Sequence, residues 1–104
     1  MRIKVTDPLI DYEGRVLVEG KEPVTFRRVF VTALNTFPDN DRPPAEQMAQ
    51  IYALSVKLYV DDEAELSLEE AALIKDRVGR LYNPLVYGRT CELLEGQHIL
   101  KKKK

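Results

Sequence analysis

The chain has 104 residues, sixteen basic and seventeen acidic, with a net charge of −1 and 44% hydrophobic content. That suits one domain able to bury a core without staples, and it is too apolar for a disordered chain. One cysteine, Cys91, excludes an internal disulfide, and no apolar run approaches the roughly 18 residues needed to span a bilayer.

The opening MRIKVTDP lacks the apolar block of a signal peptide, which argues against export by that route. With the lone cysteine it fits a reducing, cytoplasmic compartment. Removing the four terminal lysines leaves twelve basic against seventeen acidic residues, a net −5 for the body. An acidic body argues against general nucleic-acid binding. No internal repeat is present.

In chain order, Arg2 to Thr6 alternates and reads as a strand that Asp7-Pro8 breaks. A turn at Tyr12-Glu13-Gly14, a strand over Arg15 to Val18 and a second turn at Glu19-Gly20-Lys21 complete a short β-meander or hairpin. Phe26, Val29, Phe30, Ala33 and Leu34 follow helical spacing behind Thr25 as N-cap, although the β-branched run VFVT also suits a strand. Asn35 to Pro44 is rich in breakers, with Asp39-Asn40-Asp41 reading as a turn. A helix is expected over Ala45 to about Val60. Its apolar positions Met48, Ile51, Tyr52, Leu54, Val56, Leu58 and Tyr59 cover a wide arc, as a central helix with two neighbours would.

The clearest punctuation comes next. Ser67 and Glu70 form an S-x-x-E capping box, in which the hydroxyl accepts from the Glu70 amide and the carboxylate accepts from the Ser67 amide. Ala71, Ile74, Val78, Leu81 and Tyr82 then share one face. Pro84 ends that helix near Tyr82 and begins another, with Asn83 as N-cap, running to about Glu95 before Gly96. The expected architecture is α+β: a single domain over residues 1–96, with a β-rich 1–24 packed on three to four α-helices in 25–96. Residues 97–104 form a basic C-terminal tail.

The residues offer little chemistry. Asp61-Asp62-Glu63-Ala64-Glu65 invites a calcium loop, but the required glycine and bidentate glutamate positions hold Leu66 and Ala72, so a solvated acidic link is expected. One cysteine and one histidine, Cys91 and His98, do not assemble a zinc site. No phosphate loop or dinucleotide fingerprint occurs. The expectation is a protein that is not an enzyme, with no catalytic residue, no metal and no cofactor. A helix-turn-helix over Ala71 to Glu95 fits poorly, because Leu85, Val86 and Tyr87 open the would-be recognition helix. The run Lys101 to Lys104 reads as a solubilising end or a non-specific phosphate contact.

What remains is surface. Tyr52, Tyr59, Tyr82 and Tyr87 lie around the helical hairpin, and they either finish a small core or mark a contact face for a protein partner. Arg77, Arg80 and Arg89 either join that face or pair with nearby glutamates. These seven residues are the candidate partner surface.

Three segments carry a resemblance. VTFRRVFVTALNT, IYALSVKLY and ELSLEEAALIKDRVGRLYNPLVYGR resemble small proteins of uncharacterised function encoded by tailed bacteriophages and prophages, over most of Val24 to Glu95. Lys101–Lys104 is outside that pattern, and no active-site residues carry over. The resemblance implies a protein working in a bacterial cytoplasm or joining a virion. The expected function is a virion head or tail assembly accessory or chaperone acting by protein–protein contact. The alternative is a host-directed regulator or inhibitor binding a bacterial protein or nucleic acid. The partner is thus a phage structural protein or a host protein, with nucleic acid disfavoured, no membrane, and homo-oligomerisation left open.

Overall fold

Eight elements follow one another in the computed structural model, which describes residues 1–38 and 42–96; Asp39-Asn40-Asp41 and the tail 97–104 lie outside the described residues. They are β1 (Arg2–Lys4), β2 (Val18–Glu19), β3 (Glu22–Pro23), α1 (Phe26–Asn35), α2 (Ala45–Val60), β4 (Glu63–Glu65), α3 (Leu68–Leu81) and α4 (Pro84–Glu95). The class is α+β. Helix, not strand, is the outcome for VFVT, where the Thr25 hydroxyl caps α1 by accepting from the Arg28 amide.

The pairing of the first strand departs from the expected meander. β1 pairs antiparallel with β4, about sixty residues away, with Arg2 opposite Glu65, Ile3 opposite Ala64 and Lys4 opposite Glu63. The acidic link is therefore a strand over its last three residues, Glu63–Glu65. Ile3 and Ala64 point into the core, while the basic and acidic side chains share the solvent face. Opposite charges across a strand pair stabilise the register that buries the two apolar residues. A second small hairpin, β2–β3, turns at Gly20 with φ of 65°. Its directly opposed Glu19 and Glu22 both face the Arg28 guanidinium, which offsets their repulsion.

α1 packs against both α2 and α3, and α4 packs against α3. The core is filled by Phe30 and Leu34 from α1, Leu54 and Leu58 from α2, Ile74 and Val78 from α3, and Leu94 from α4. Val5, Leu9 and Leu66 close it from the strand side. Arg27, the second residue of α1, donates from Nε to the Leu58 carbonyl and from its terminal nitrogen to the Asp61 carbonyl, both at 2.9 Å. It thereby satisfies carbonyls that the last turn of α2 leaves without an intrahelical donor.

The capping box of α3 is complete: the Glu70 amide donates to the Ser67 hydroxyl at 3.0 Å, and the Ser67 amide donates to the Glu70 carboxylate at 2.9 Å. Lys57 of α2 reaches the same carboxylate at 3.0 Å and ties the two helices together. Burial pushes the Glu70 carboxyl up, but the Ser67 amide and the Lys57 ammonium together outweigh it and hold it below the ordinary 4.5. A depressed folded value means stability that is present above the unfolded pKa and lost as pH falls through the folded one. Glutamine can still accept from the Ser67 amide, so Glu70→Gln removes only the charge and is expected to cost about 0.5–1 kcal/mol at neutral pH. In urea melts at stepped pH, the gap to the wild type should close below pH 4.5.

Candidate functional site

The expected arc on α2 is two faces, not one. Ile51, Leu54 and Leu58 turn inward and are buried, whereas Tyr52, Tyr59 and Val60 are 72%, 70% and 69% exposed and Val56 is 42% exposed. α2 is consequently a peripheral helix covered on one side, and the central helix is α1. Ala45, Ala49 and Ala53 are exposed with them. At 100° per residue, Ala45, Ala49, Tyr52, Ala53, Val56, Tyr59 and Val60 all fall within about 60° of Val56. No charged or hydrogen-bonding side chain interrupts this face except the two tyrosine hydroxyls. Glu46 and Lys57 stand at one edge, and Lys57 is turned back onto Glu70.

The other two tyrosines lie elsewhere. Tyr82 and Tyr87 line an open groove of about 580 Å³ at the α3–α4 corner, with Lys75, Asp76, Arg80 and Asn83. The helices approach closely there because Gly79 has no side chain; a Cβ would stand 3.1 Å from Cε1 of Tyr87. The groove's charges are matched, Lys75 with Glu95 at 2.7 Å and Arg80 with Asp76 at 3.1 Å. Burial raises the pKa of Tyr82, whose hydroxyl meets Thr32. The hydrogen bond with the Cys91 thiol raises that of Tyr87. Both phenols thus stay protonated at neutral pH and offer no base.

Arg77 is buried and Arg89 is largely covered. Arg77 is 4% exposed, donates to the Thr36 carbonyl at 3.2 Å and lies over the Phe37 ring with 5.0 Å to its centroid. Arg89 donates to the Ile10 and Asp11 carbonyls at 2.9 and 2.8 Å and pairs with Glu92 at 3.0 Å. It pins the turn at Asp11 to α4. That turn closes on Gly14, with φ of 85°, and on the Asp11 carboxylate, which accepts from the Glu13 and Arg15 amides. The Arg15 amide first, and then the Glu13 amide and the Arg15 guanidinium, outweigh desolvation and hold the Asp11 carboxyl below its usual range.

The seven candidate residues therefore divide three ways: Tyr52 and Tyr59 on the outer face of α2, Tyr82, Tyr87 and Arg80 at the α3–α4 corner, and Arg77 and Arg89 inside the fold. Sequence reasoning placed Val56 on the apolar arc without assigning it to a contact face, and did not single out Ala45, Ala49, Ala53 and Val60. Their signal was present as the four-three spacing of Ala45, Ala49, Tyr52, Val56 and Tyr59, running beside the inner stripe.

Among the described residues, no three His, Cys, Asp or Glu side chains converge as metal ligands. None of their helices is long and apolar enough to cross a membrane. A buried polar group of another kind occurs on α4, where the fully buried Thr90 hydroxyl has no hydrogen-bond partner among the described residues. Thr90→Val keeps the shape and removes that desolvated oxygen, so a gain of about 1 kcal/mol is expected in denaturant melts.

The molecule is thus a small α+β domain with one uncovered, uncharged helix face. Comparison with protein-family models, with curated proteins and with solved structures found no match to this chain.

Proposed function

We propose that this protein is a non-enzymatic, phage-type interaction protein, an accessory or chaperone in assembly of a virion head or tail, acting through protein–protein contact. The observation that carries the contact function is the outer face of α2, with Tyr52, Tyr59 and Val60 each about 70% exposed and no charge between them. Contiguous apolar surface of this kind costs solubility and marks interaction sites. Tyrosine suits such a face, since a rigid ring gives contact area and its hydroxyl stays wet. The virion setting comes from the resemblance of the three helical segments to phage proteins. The host-directed alternative has less support, because the acidic link is mostly paired: Asp62 with Arg27, and Glu63 and Glu65 with Arg2. A nucleic-acid mimic needs a row of bare carboxylates.

The test is affinity capture from phage-infected bacterial lysate, using the tagged wild type beside Val56→Glu. Val56 is exposed and glutamate is a good helix former, so the variant should fold. Recovery of a head or tail protein with the wild type, lost with the variant, supports the reading. Recovery unchanged by the variant removes the α2 face from it. Recovery of a host protein or nucleic acid instead replaces assembly with regulation.

A further inference from the structure

We propose that the outer face of α2 is covered by the same face of a second copy of this chain, the two helices running antiparallel about a two-fold axis beside Tyr52 and Ala53. This rests on the contact function above and specifies what occupies the face in the purified protein.

Spacing names the kind of occupant. Ala45, Ala49, Tyr52, Val56 and Tyr59 recur at alternating four and three residues along the whole of α2, the seam by which one helix packs lengthwise on another. The occupant is a helix carrying a complementary seam, and α2 itself is one.

Size sets the direction. The face begins with small residues (Ala45, Ala49), joins Tyr52 to Ala53 at its middle, and ends with larger ones (Val56, Tyr59, Val60). Laid antiparallel, Ala45 meets Val60, Ala49 meets Val56 and Tyr52 meets Ala53, so each of these levels joins a small side chain to a larger one, while Tyr59 lies over Glu46 at the edge. Laid parallel, alanine would face alanine and tyrosine would face tyrosine, leaving voids at one end and crowding at the other.

Charge agrees with size. The start of α2, at Pro44, follows the exposed Arg42. Its end leads into the exposed Asp61, Asp62 and Glu63. The same antiparallel arrangement brings the Arg42 end of one copy to the acidic end of the other. It places Asp61 over the first-turn amides, where the helix dipole favours an anion. A same-face pairing of this kind closes on itself and stops at two.

Area sets the strength. A face about 24 Å long and about 10 Å wide, with two projecting tyrosines, buries on the order of 800–1,000 Å² between two copies, the low end for a specific interface. An interface of that size makes a weak dimer that dissociates on dilution.

Sedimentation velocity of the purified full chain across a concentration series should give a species of about twice the 11.9 kDa chain mass, dissociating on dilution. Val56→Glu should sediment as a monomer throughout. In a Cys91→Ser background, Ala53→Cys should form disulfide-linked dimers on mild oxidation, because the two copies of residue 53 lie next to the axis. Ala45→Cys should not, since its copies stand at opposite ends. A wild type that stays monomeric at several hundred micromolar overturns the inference, as does cross-linking through Ala45→Cys but not Ala53→Cys. A monomeric wild type whose capture of a virion protein still depends on Val56 sinks the self-association alone. If Val56→Glu changes neither mass nor capture, the contact function falls with it.

Discussion

Phe30→Ala should lose about 3–5 kcal/mol of stability, much of what a domain of this size possesses. Phe30 is fully buried on α1, the helix that packs on both α2 and α3, and its ring stands 5.7 Å from that of Phe26 at a 52° tilt. Truncation removes the transfer free energy of the ring and leaves a cavity between elements that caps and short turns hold in place, so collapse into the void is limited. Tyr52→Ala is the control: the same class of truncation at a 72% exposed position should move stability by about 0.5 kcal/mol or less. Urea unfolding followed by circular dichroism reads both. A loss below about 1 kcal/mol for Phe30→Ala would mean that α1 is not the centre of the core.

The elements that could be read in advance are those whose cause is local. Ser67 and Glu70 are three residues apart, and each satisfies the other's amide without help from the rest of the chain. Asn83-Pro84 ends one helix and starts the next through backbone sterics alone, and the Asn83 side chain accepts from the Val86 amide at 3.0 Å. The spacing of Phe26, Val29, Phe30, Ala33 and Leu34 outweighed the β-branched character of VFVT because a buried face contributes more than intrinsic propensity.

What escaped the reading depends on partners distant in the chain. Glu63-Ala64-Glu65-Leu66 does alternate, with Ala64 and Leu66 buried, but so many acids in succession looked like a solvated link. Only Arg2 and Lys4, brought opposite them, make it a strand. Arg89 likewise reads as a surface charge until the Ile10 and Asp11 carbonyls arrive beside it. On α2 the inner and outer stripes are both apolar, and nothing in the helix itself says which side α1 will cover. The outer stripe became recognisable only once the inner one was accounted for, and that residue of unexplained apolar surface points to function.

Arg77→Ala should cost about 3 kcal/mol, comparable to deleting a core hydrophobe, because position 77 lies three residues from Ile74 on the buried side of α3. A buried cation there costs less the more of its donors are used. One terminal nitrogen donates to the Thr36 carbonyl just past α1, and the guanidinium plane covers Phe37, so the charge fastens the chain leaving α1 onto α3. Alanine forfeits the stem's packing, the ring contact and the carbonyl's donor together. Three variants separate those losses in urea melts. Arg77→Met retains most of the volume and should lose about half as much as alanine, since filling a buried polar site with an apolar chain of similar size costs less than emptying it. Arg77→Lys keeps the charge but not the planar fork, and so should fall short of the wild type. Equal losses for methionine and alanine would assign the effect to the guanidinium's contacts rather than to the packing of the stem. A loss under about 1 kcal/mol for all three would mean that the segment after α1 is held by other means.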